Sequence, residues 1–300
     1  MCRLFGMSAA PRRLRATFWL LDATDSLTTQ SRRQPDCVGL GVFDRNGTPQ
    51  VYRRTIAAYE DRVFARRARE LQAHTFIAHL RFASTGALAP RNTHPFCQAG
   101  RLMAHNGVIE DLPRLEHELG DAMALVHGDT DSERLFALIT KYAQGIGDVG
   151  RAITEAVGWA ADNLPLYAAN LVLATPTELW ALRYPATHPL HVLRRRPGGP
   201  HGDRDLDQVG TTGTVRVQSG DGCTTRTVVV ASEPMDDDPG WHALASGELL
   251  HVGPDLTVTS QVVLDHLPAH PLGLADLDPR AAISQLATAT ELPSPERAVA

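Results

Sequence analysis

Strand patterns and helix patterns come in separate runs along this chain, and this order restricts its fold more than any other feature. A strand-like segment opens the chain at 2–7, a hairpin pattern follows at 38–53, and a further strand is predicted at 75–81. Helical patterns then cluster between residues 112 and 161 before strand patterns return. Because clustered strands pair as antiparallel sheets, we expect an α+β fold with helices layered outside, and not a doubly wound parallel sheet.

The individual elements follow from hydrophobic periodicity and turn residues. The segment Asp44 to Gly47 is typical of a hairpin turn, and residues 84–95 are rich in turn formers, as expected of a loop. Helices are predicted over 12–21, 60–71, 112–119, 131–142 and 149–161. Strands are predicted over 2–7, 38–43, 50–53, 75–81, 101–104, 169–174 and 178–183. The strand at 101–104 is expected to end in His105-Asn106-Gly107.

The last third of the chain combines a polar segment, more strands and a tail. Residues 195–213 are rich in Pro, Gly and Asp, which predicts a surface loop. Edge or sheet-extending strands are predicted over 215–218, 225–231, 248–252 and 257–263. Periodicity is lost in 266–300, which we expect to be a poorly ordered tail. We therefore predict one domain over 2–265, made of a core (2–185) and a sheet-extending part (186–265).

The composition argues against several classes of protein. A formal net charge of −5 over 300 residues argues against nucleic acid as a partner. The sequence contains no apolar run of about 18 residues and no signal-peptide pattern at its start, so we expect no membrane partner and a cytoplasmic location. The cysteines are too scattered for a disulfide framework or a zinc site, and no cofactor or metal is predicted. They are Cys2, Cys37, Cys97 and Cys223.

Cys2 directly follows the initiator methionine. Removal of Met1 would leave one residue that carries both a thiol and a free α-amine. An α-amine has a pKa of roughly 7.7–8.0 and a free thiol about 8.5, so the amine can accept the thiol proton near neutral pH. The start of the chain is therefore a candidate catalytic centre. The alternative is that Cys2 is a small apolar residue at the head of a strand, because free cysteine is commonly buried.

Four other residues have the chemistry that a thiolate attacking a carboxamide needs. Asn106 and Gly107 could supply a side-chain amide and a backbone N–H to an oxyanion, although Asn-Gly is also a common turn dipeptide. Arg81, at the end of an apolar strand, could hold a carboxylate with two hydrogen bonds, or could form a structural ion pair. Asp131 could bind a substrate ammonium, or could cap the helix that begins near it.

Taken in order, five sequence blocks resemble the class II glutamine amidotransferases, which are N-terminal-nucleophile enzymes. The blocks are Cys2, His79-Leu80-Arg81-Phe82-Ala83-Ser84-Thr85-Gly86, Asn92-Thr93-His94-Pro95-Phe96, Ala104-His105-Asn106-Gly107 and Thr130-Asp131-Ser132-Glu133. The resemblance spans roughly 2–185, and Ala231-Ser232-Glu233-Pro234 looks like a motif of the smaller members. It implies a four-layer αββα sandwich.

The resemblance also implies a role for each matched residue. Cys2 would be the nucleophile, with its α-amine as the proton shuttle, and Asn106 and Gly107 would form the oxyanion hole. Arg81 would bind the substrate carboxylate and Asp131 the substrate α-amine. Thr85 and His94 lie in the same blocks and are further candidates for substrate binding. We expect His79, His94 and His105 to shape loops and hydrogen bonds, and not to bind a metal.

The predicted reaction is hydrolysis of a γ-glutamyl carboxamide through a γ-glutamyl thioester on Cys2, with release of ammonia or an amine. No acceptor domain is visible after Arg183, so ammonia would have to reach a separate synthase subunit. One alternative is that a γ-glutamyl conjugate is itself the substrate, as in the hydrolase of ergothioneine biosynthesis. A second alternative, of another class, is a catalytically silent protein that senses glutamine or acts as a scaffold. The sequence does not indicate an oligomeric state.

Overall fold

Two large β-sheets lie at the centre of the computed structural model, which describes residues 2–82, 86–197, 208–209, 216–217 and 225–286. The strands are β1 (Arg3–Ser8), β2 (Cys37–Phe43), β3 (Pro49–Arg54), β4 (Thr75–Arg81), β5 (Phe96–Gln98), β6 (Arg101–Ile109), β7 (Pro165–Ala174), β8 (Leu179–Arg183), β9 (His191–Arg195), β10 (Gln208–Val209), β11 (Arg216–Val217), β12 (Thr227–Ala231), β13 (His242–Ala243), β14 (Glu248–Val252), β15 (Val258–Val262) and β16 (His270–Pro271). The α-helices are α1 (Leu27–Gln30), α2 (Arg62–Glu70), α3 (Leu112–Leu119), α4 (Asp131–Ile146), α5 (Val149–Asn163) and α6 (Pro279–Leu286). Short 3₁₀ turns lie at Pro90–Asn92, Gly120–Leu125 and Leu274–Asp276, and a π-helical turn lies at Phe18–Asp22.

The strand order places the first strand of the chain near the middle of a sheet. Sheet one has the order β13-β9-β12-β1-β4-β2-β3, and sheet two has the order β15-β14-β8-β7-β6-β5. Neighbours in both sheets are antiparallel, whereas β16 joins β7 in parallel. β10 and β11 form a separate two-stranded ribbon.

Three hydrophobic clusters define four layers. The first lies between the two sheets and includes Leu4, Ile77 and Val172. The second packs α1, α2 and the π-helical turn onto sheet one, and the third packs α3, α4 and α5 onto sheet two. The helices therefore cover the outer faces of two stacked sheets. This arrangement confirms the predicted α+β fold of αββα type.

The two sheets approach closely beside the start of the chain. A Cβ atom on Gly6 of β1 would lie 2.7 Å from Cγ1 of Val172 on β7. Any side chain at this position would push the sheets apart, so glycine is required for the close packing. The same close packing brings the polar ends of β4 and β6 together across the interface.

Several predicted elements are correct. The strand predicted at 75–81 and the helix predicted at 112–119 have the observed bounds, and the hairpin turn at 44–47 joins β2 to β3. Other predictions are wrong. The helix predicted over 12–21 is not formed in its first half, because Leu14 exchanges backbone hydrogen bonds with Ala73, and helical geometry begins only at Phe18.

A second error concerns β6, which does not end at His105-Asn106-Gly107. It continues to Ile109, because its pairing with β7 extends as far as an irregularity between Val108 and Ile109. Asn106 and Gly107 therefore lie within a strand, opposite Asn170 and Ala169. A β-strand position fixes side-chain direction more tightly than a turn would.

The C-terminal part also differs from expectation. The strand predicted at 225–231 corresponds to β12, which is not an edge strand, because it pairs with β1 on one side and β9 on the other. Within the predicted tail, residues 270–286 contain β16, a 3₁₀ turn and α6, because Leu277 and Ala281 are buried against β6 and β7. Most of the predicted loop at 195–213 and the last residues, 287–300, lie outside the described residues.

Among the helices of the described segments, none has the length and apolar character that a membrane span requires.

Candidate active site

The central position of β1 fixes Cys2 at the end of the gap between the two sheets. Cys2 immediately precedes β1, whose first residue, Arg3, pairs with Leu80 of β4. The backbone N–H of Phe82, just after β4, donates to Sγ of Cys2 at 3.2 Å. The thiol is therefore held beside the point where β4 ends.

An ion pair between a buried arginine and a partly exposed glutamate anchors the same end of β1. The guanidinium of Arg3, which is almost fully buried, donates to Glu233 at 2.9 Å. Glu233 also pairs with Arg33 at 2.8 Å, and Arg33 pairs with Asp25. Because it joins the start of β1 to the segment after β12, the bond between Arg3 and Glu233 restrains the backbone next to Cys2.

The surroundings of Cys2 oppose spontaneous ionisation of its thiol. Burial of the sulfur raises the thiol pKa above its ordinary value, whereas the hydrogen bond from Phe82 and the nearby positive charges lower it in part. Because the net direction is upward, the thiol is protonated near neutral pH. A nucleophilic role for Cys2 therefore requires a base close to the sulfur.

The alternation of side chains along β6 separates two functional residues that are adjacent in sequence. Leu102 and Ala104 face the other sheet, so Asn106 faces it as well. Met103 packs under the helices of sheet two, and His105 points the same way, where its Nδ1 lies 2.9 Å from Oγ of Ser132 at the start of α4. β6 thus carries Asn106 on the face towards sheet one and His105 on the face towards the helices.

Asn106 joins the two sheets through its side-chain amide. Its Nδ2 donates to the backbone carbonyl of Cys2 at 2.7 Å and to Oγ of Ser232 at 3.3 Å. Its Oδ1 lies 2.9 Å from Nε2 of His79, which is fully buried on β4. Ser232 follows β12, and its Oγ also accepts from the N–H of Leu4 at 2.9 Å. Hydrogen bonds to residues beside β1, on β4 and beside β12 therefore fix the orientation of the Asn106 amide.

Asp131 is the first residue of α4, but it does not cap this helix. The cap is Thr130, whose Oγ1 accepts from the N–H of Glu133 at 3.3 Å. The Asp131 carboxylate instead accepts from the N–H of Ile109 at 3.0 Å and from Oγ of Ser132 at 3.3 Å. Since capping does not need this carboxylate, the capping explanation for the acid is excluded.

Arg81 and His94 are two further polar residues of the site. Arg81 is almost fully buried at the end of β4, and its Nη1 donates to the carbonyl of Ala87 at 3.3 Å. The ring of His94 lies 4.2 Å from that of His79, and neither of its nitrogens has a hydrogen-bond partner among the described residues. Both nitrogens are buried.

Burial keeps the three histidines of this region neutral. It lowers the pKa of His79 to about 3, that of His94 well below its usual range, and that of His105 below its ordinary value despite the nearby Asp131 carboxylate. The positive charge that faces the pocket is therefore that of Arg81, which suits a substrate carboxylate. Across the described segments, no three His, Cys, Asp or Glu side chains are grouped as a metal site.

A single cavity of about 30 Å³ brings most of the predicted site residues together. Its lining includes Cys2, Arg81, His94, Asn106, Gly107 and Asp131. Thr85, the remaining predicted residue, lies outside the described residues. The lining also includes Gln285 of α6, a residue within the predicted tail. The motif containing Ser232 was visible in the sequence, but its link to Asn106 was not.

Comparison with known proteins agrees with this geometry. The model of the family "Glutamine amidotransferases class-II" matches residues 1–266. The chain belongs to the class II glutamine amidotransferase family. The resemblance seen in the sequence blocks is thus confirmed, and the protein is an enzyme that acts on amide C–N bonds.

One relative of this amidotransferase is similar over nearly its whole length. It is the gamma-glutamyl-hercynylcysteine sulfoxide hydrolase of Mycolicibacterium smegmatis, 30% identical over 264 residues, which are 84% of this chain and 96% of the relative. The glutamine aminotransferase class-II domain protein of Silicibacter pomeroyi has a similar fold, with a TM-score of 0.56 at 18% identity over 87% of this chain and 99% of that chain. The glutamine phosphoribosylpyrophosphate amidotransferase of B. subtilis has a TM-score of 0.60 at 19% identity, over 89% of this chain and 50% of that enzyme.

Proposed function

We propose that this amidotransferase hydrolyses a γ-glutamyl amide, with Cys2 as the nucleophile. The observation that carries the proposal is the meeting of Cys2, Arg81 and Asp131 at one cavity. A γ-glutamyl group has an α-carboxylate and an α-ammonium, and its amide lies at the other end of the side chain. A cation and an anion beside a thiol match these three features.

Activation of Cys2 begins with removal of Met1. The new α-amine, with an ordinary pKa of roughly 7.7–8.0, accepts the thiol proton as sulfur attacks the γ-carbonyl carbon. This assistance is needed because burial raises the pKa of the Cys2 thiol. The N–H of Phe82 offsets part of that effect, since it donates to Sγ and stabilises its negative charge.

Asn106 and Gly107 supply the donors for the oxyanion. Both hydrogens of the Asn106 Nδ2 are engaged in this structure, by the Cys2 carbonyl and by Ser232. One of these hydrogens must therefore leave its present acceptor before it can bond to the oxyanion. We propose that it is the hydrogen now bonded to the Cys2 carbonyl. The longer contact with Ser232 and the contact with His79 then keep the amide in place.

The reaction has two halves. In the first, the S–C bond forms, the C–N bond breaks, and the amine leaves with the proton that the α-ammonium of Cys2 returns. In the second, water adds to the thioester carbonyl while the same α-amine removes its proton, the C–S bond breaks, and the α-ammonium returns the proton to the sulfur. Glutamate and the free thiol are the products, and the cycle requires no external reductant or cofactor.

We further propose that the physiological substrate is a γ-glutamyl conjugate of a larger amine, and that no ammonia is transferred to a synthase. The full-length similarity to a hydrolase of this type supports the assignment. The alternative of a catalytically silent protein is disfavoured, because every candidate residue that the structure describes lines the cavity.

A substrate panel tests the proposal. Purified protein would be assayed with glutamine, γ-glutamyl-p-nitroanilide and γ-glutamyl S-conjugates, and Cys2→Ala would serve as the blank. We expect glutamate release from each, with the highest kcat/KM for a conjugate and no release by Cys2→Ala. Release that is unchanged in Cys2→Ala would contradict the proposed nucleophile, and activity with glutamine alone would contradict the conjugate assignment.

A further inference from the structure

Asn92 belongs to one of the five sequence blocks, but the proposed reaction gives it no role. Its side chain is fully buried between two loop segments. One segment follows β4, whose last residue is Arg81, and the other ends at Asp131, the first residue of α4. These two residues are the ones proposed to bind the substrate carboxylate and the substrate ammonium. Asn92 therefore lies between the backbone segments beside both charges.

The side-chain amide of Asn92 bonds to both segments. Its Nδ2 donates to the carbonyl of Ala87 at 3.0 Å and to Oδ2 of Asp129 at 3.0 Å. Its Oδ1 accepts from the backbone N–H of Asp129 at 2.8 Å, a bond that does not involve the exposed carboxylate of that residue. The carbonyl of Ala87 also accepts from Nη1 of Arg81 at 3.3 Å. One amide thus links the partner of Arg81 to the backbone two residues before Asp131.

Each segment has a glycine where it meets this amide. A Cβ on Gly86, whose φ is +72°, would lie 3.2 Å from Nδ2 of Asn92. A Cβ on Gly128 would lie 2.5 Å from Oδ1 of Asn92. Side chains at these positions would push the segments away from the amide, so the close approach of both segments depends on glycine.

The backbone that carries Asn92 is itself fixed to sheet one. The N–H of Asn92 donates to the carbonyl of Ala89 at 3.0 Å within a 3₁₀ turn. Two residues later the carbonyl of His94 packs against Gly39 of β2, so closely that a Cβ on Gly39 would overlap this oxygen. The amide is therefore presented from a rigid part of the fold.

The segment before α4 has further contacts of its own. Oε2 of Glu133 accepts from the N–H of Gly128 at 2.6 Å, and Nη1 of Arg134 donates to the carbonyl of Thr130 at 3.0 Å. These contacts fix the segment relative to α4. The amide of Asn92 adds the link from this segment to the one that follows β4.

We propose that Asn92 is a positioning residue, which sets the distance between Arg81 and Asp131 and thereby favours substrates that carry both an α-carboxylate and an α-ammonium. The inference rests on the proposed function, since it takes these two residues as the ones that bind the substrate charges. A substrate with both charges must meet both groups at one separation, whereas a ligand with the carboxylate alone can follow Arg81. Loss of the amide therefore weakens binding of the first and leaves binding of the second nearly unchanged.

Two ligands that differ in the α-amine test this selectivity. γ-Glutamyl-p-nitroanilide carries both charges and is the substrate, for which KM and kcat are measured. Glutaryl anilide lacks the α-amine and keeps the carboxylate. Its affinity is measured as Ki for competitive inhibition of the first reaction, which requires no turnover of the inhibitor. The Cys2→Ala variant provides the blank.

Two variants remove the link and one serves as a matched control. Asn92→Ala deletes the amide. Asn92→Asp keeps the size of the side chain and an acceptor for the N–H of Asp129, but loses the donor to Ala87, and it guards against misfolding of the first variant. Arg91→Ala changes the adjacent residue, which contacts the same Asp129 carboxylate at 3.2 Å through an exposed ion pair. Circular dichroism checks that each variant is folded.

We expect both Asn92 variants to raise KM for γ-glutamyl-p-nitroanilide about tenfold, the equivalent of about one net hydrogen bond, with kcat changed by less than about twofold. Ki for glutaryl anilide should change by less than about twofold, because this ligand uses the carboxylate site alone. Arg91→Ala should match the native chain with both ligands.

The outcomes separate this inference from the proposed function. Equal losses of affinity for the two ligands would give Asn92 a general structural role and overturn the inference, while the proposed function stands. An unchanged KM in both Asn92 variants, or a lower kcat at unchanged KM, would overturn it as well. If the native chain releases no more p-nitroaniline than the Cys2→Ala blank, the proposed function fails and this inference fails with it.

Discussion

The side-chain amide of Asn106 donates a hydrogen bond to the backbone carbonyl of Cys2 at 2.7 Å, across the two sheets. This bond ties the proposed oxyanion donor to the proposed nucleophile before any substrate is present. At the other end of the amide, Nε2–H of His79 donates to Oδ1 of Asn106 and thereby fixes the orientation of the group. The reacting groups are thus positioned by strands, which hold side chains more rigidly than loops do.

The first prediction concerns this amide. Asn106→Ala removes one oxyanion donor and should lower kcat by roughly 10²–10³ while KM changes little, because the interaction is made in the transition state. Steady-state assays with γ-glutamyl-p-nitroanilide measure the effect, and circular dichroism checks that the variant is folded. A kcat within twofold of the native value would show that Asn106 is not an oxyanion donor.

Ser232 provides a second prediction, because its Oγ accepts from both Leu4 and Asn106. Ser232→Ala leaves the buried N–H of Leu4 without its acceptor and should lower the free energy of unfolding by about 1–3 kcal/mol. It should also lower kcat, but less than Asn106→Ala does. In the double variant the two effects on kcat should not add, since both act through the same amide. Additive effects would place Ser232 outside the mechanism.

Asp131 is proposed to recognise the substrate α-amine, and a substrate analogue isolates this contact. Asp131→Asn should lower kcat/KM for glutamine by about tenfold to a hundredfold, as expected for loss of a buried charged hydrogen bond. Glutaramate, which lacks the α-amine, should be hydrolysed slowly and nearly equally by both proteins. Asp129→Asn, which removes an exposed neighbouring acid, is the control. The assignment fails if Asp131→Asn weakens both substrates by the same factor.

Much of this site was predictable because its residues lie in short blocks with distinctive order. Cys2, Arg81 and Asp131 were assigned from such blocks, and the structure places all three at one cavity. The strand and helix bounds at 75–81 and 112–119 were also correct, because each segment has a clear period and a clear end.

Contacts between distant segments could not be predicted in the same way. Asn106 was placed at a strand end because the sequence shows a turn dipeptide, whereas pairing with β7 carries the strand to Ile109. The bond from Asn106 to His79 depends on how closely the two sheets stack, which no local pattern encodes. Gln285 lies in a segment without periodicity, and its position depends on the burial of Ala281 against remote strands.

The buried histidines predict how stability depends on pH. His79 is fully buried with a folded-state pKa of about 3, whereas an unfolded histidine titrates near 6.5. Below pH 6.5 the unfolded state binds the proton that the folded state excludes, so stability falls as pH drops from about 6.5 towards 3. Urea unfolding at pH 6, 5 and 4 should give His79→Gln a slope smaller by about 1.4 kcal/mol per pH unit than that of the native chain. Equal slopes would show that His79 titrates normally.

The central claim is that the mature chain begins with a nucleophilic Cys2. Intact-protein mass spectrometry before and after treatment with 6-diazo-5-oxo-norleucine, followed by peptide mapping, tests it most directly. We predict a mass that lacks Met1, one adduct that maps to Cys2, and no adduct in Cys2→Ala. A retained Met1, or a processed chain whose Cys2 remains unmodified while γ-glutamyl amides are still hydrolysed, would contradict the claim.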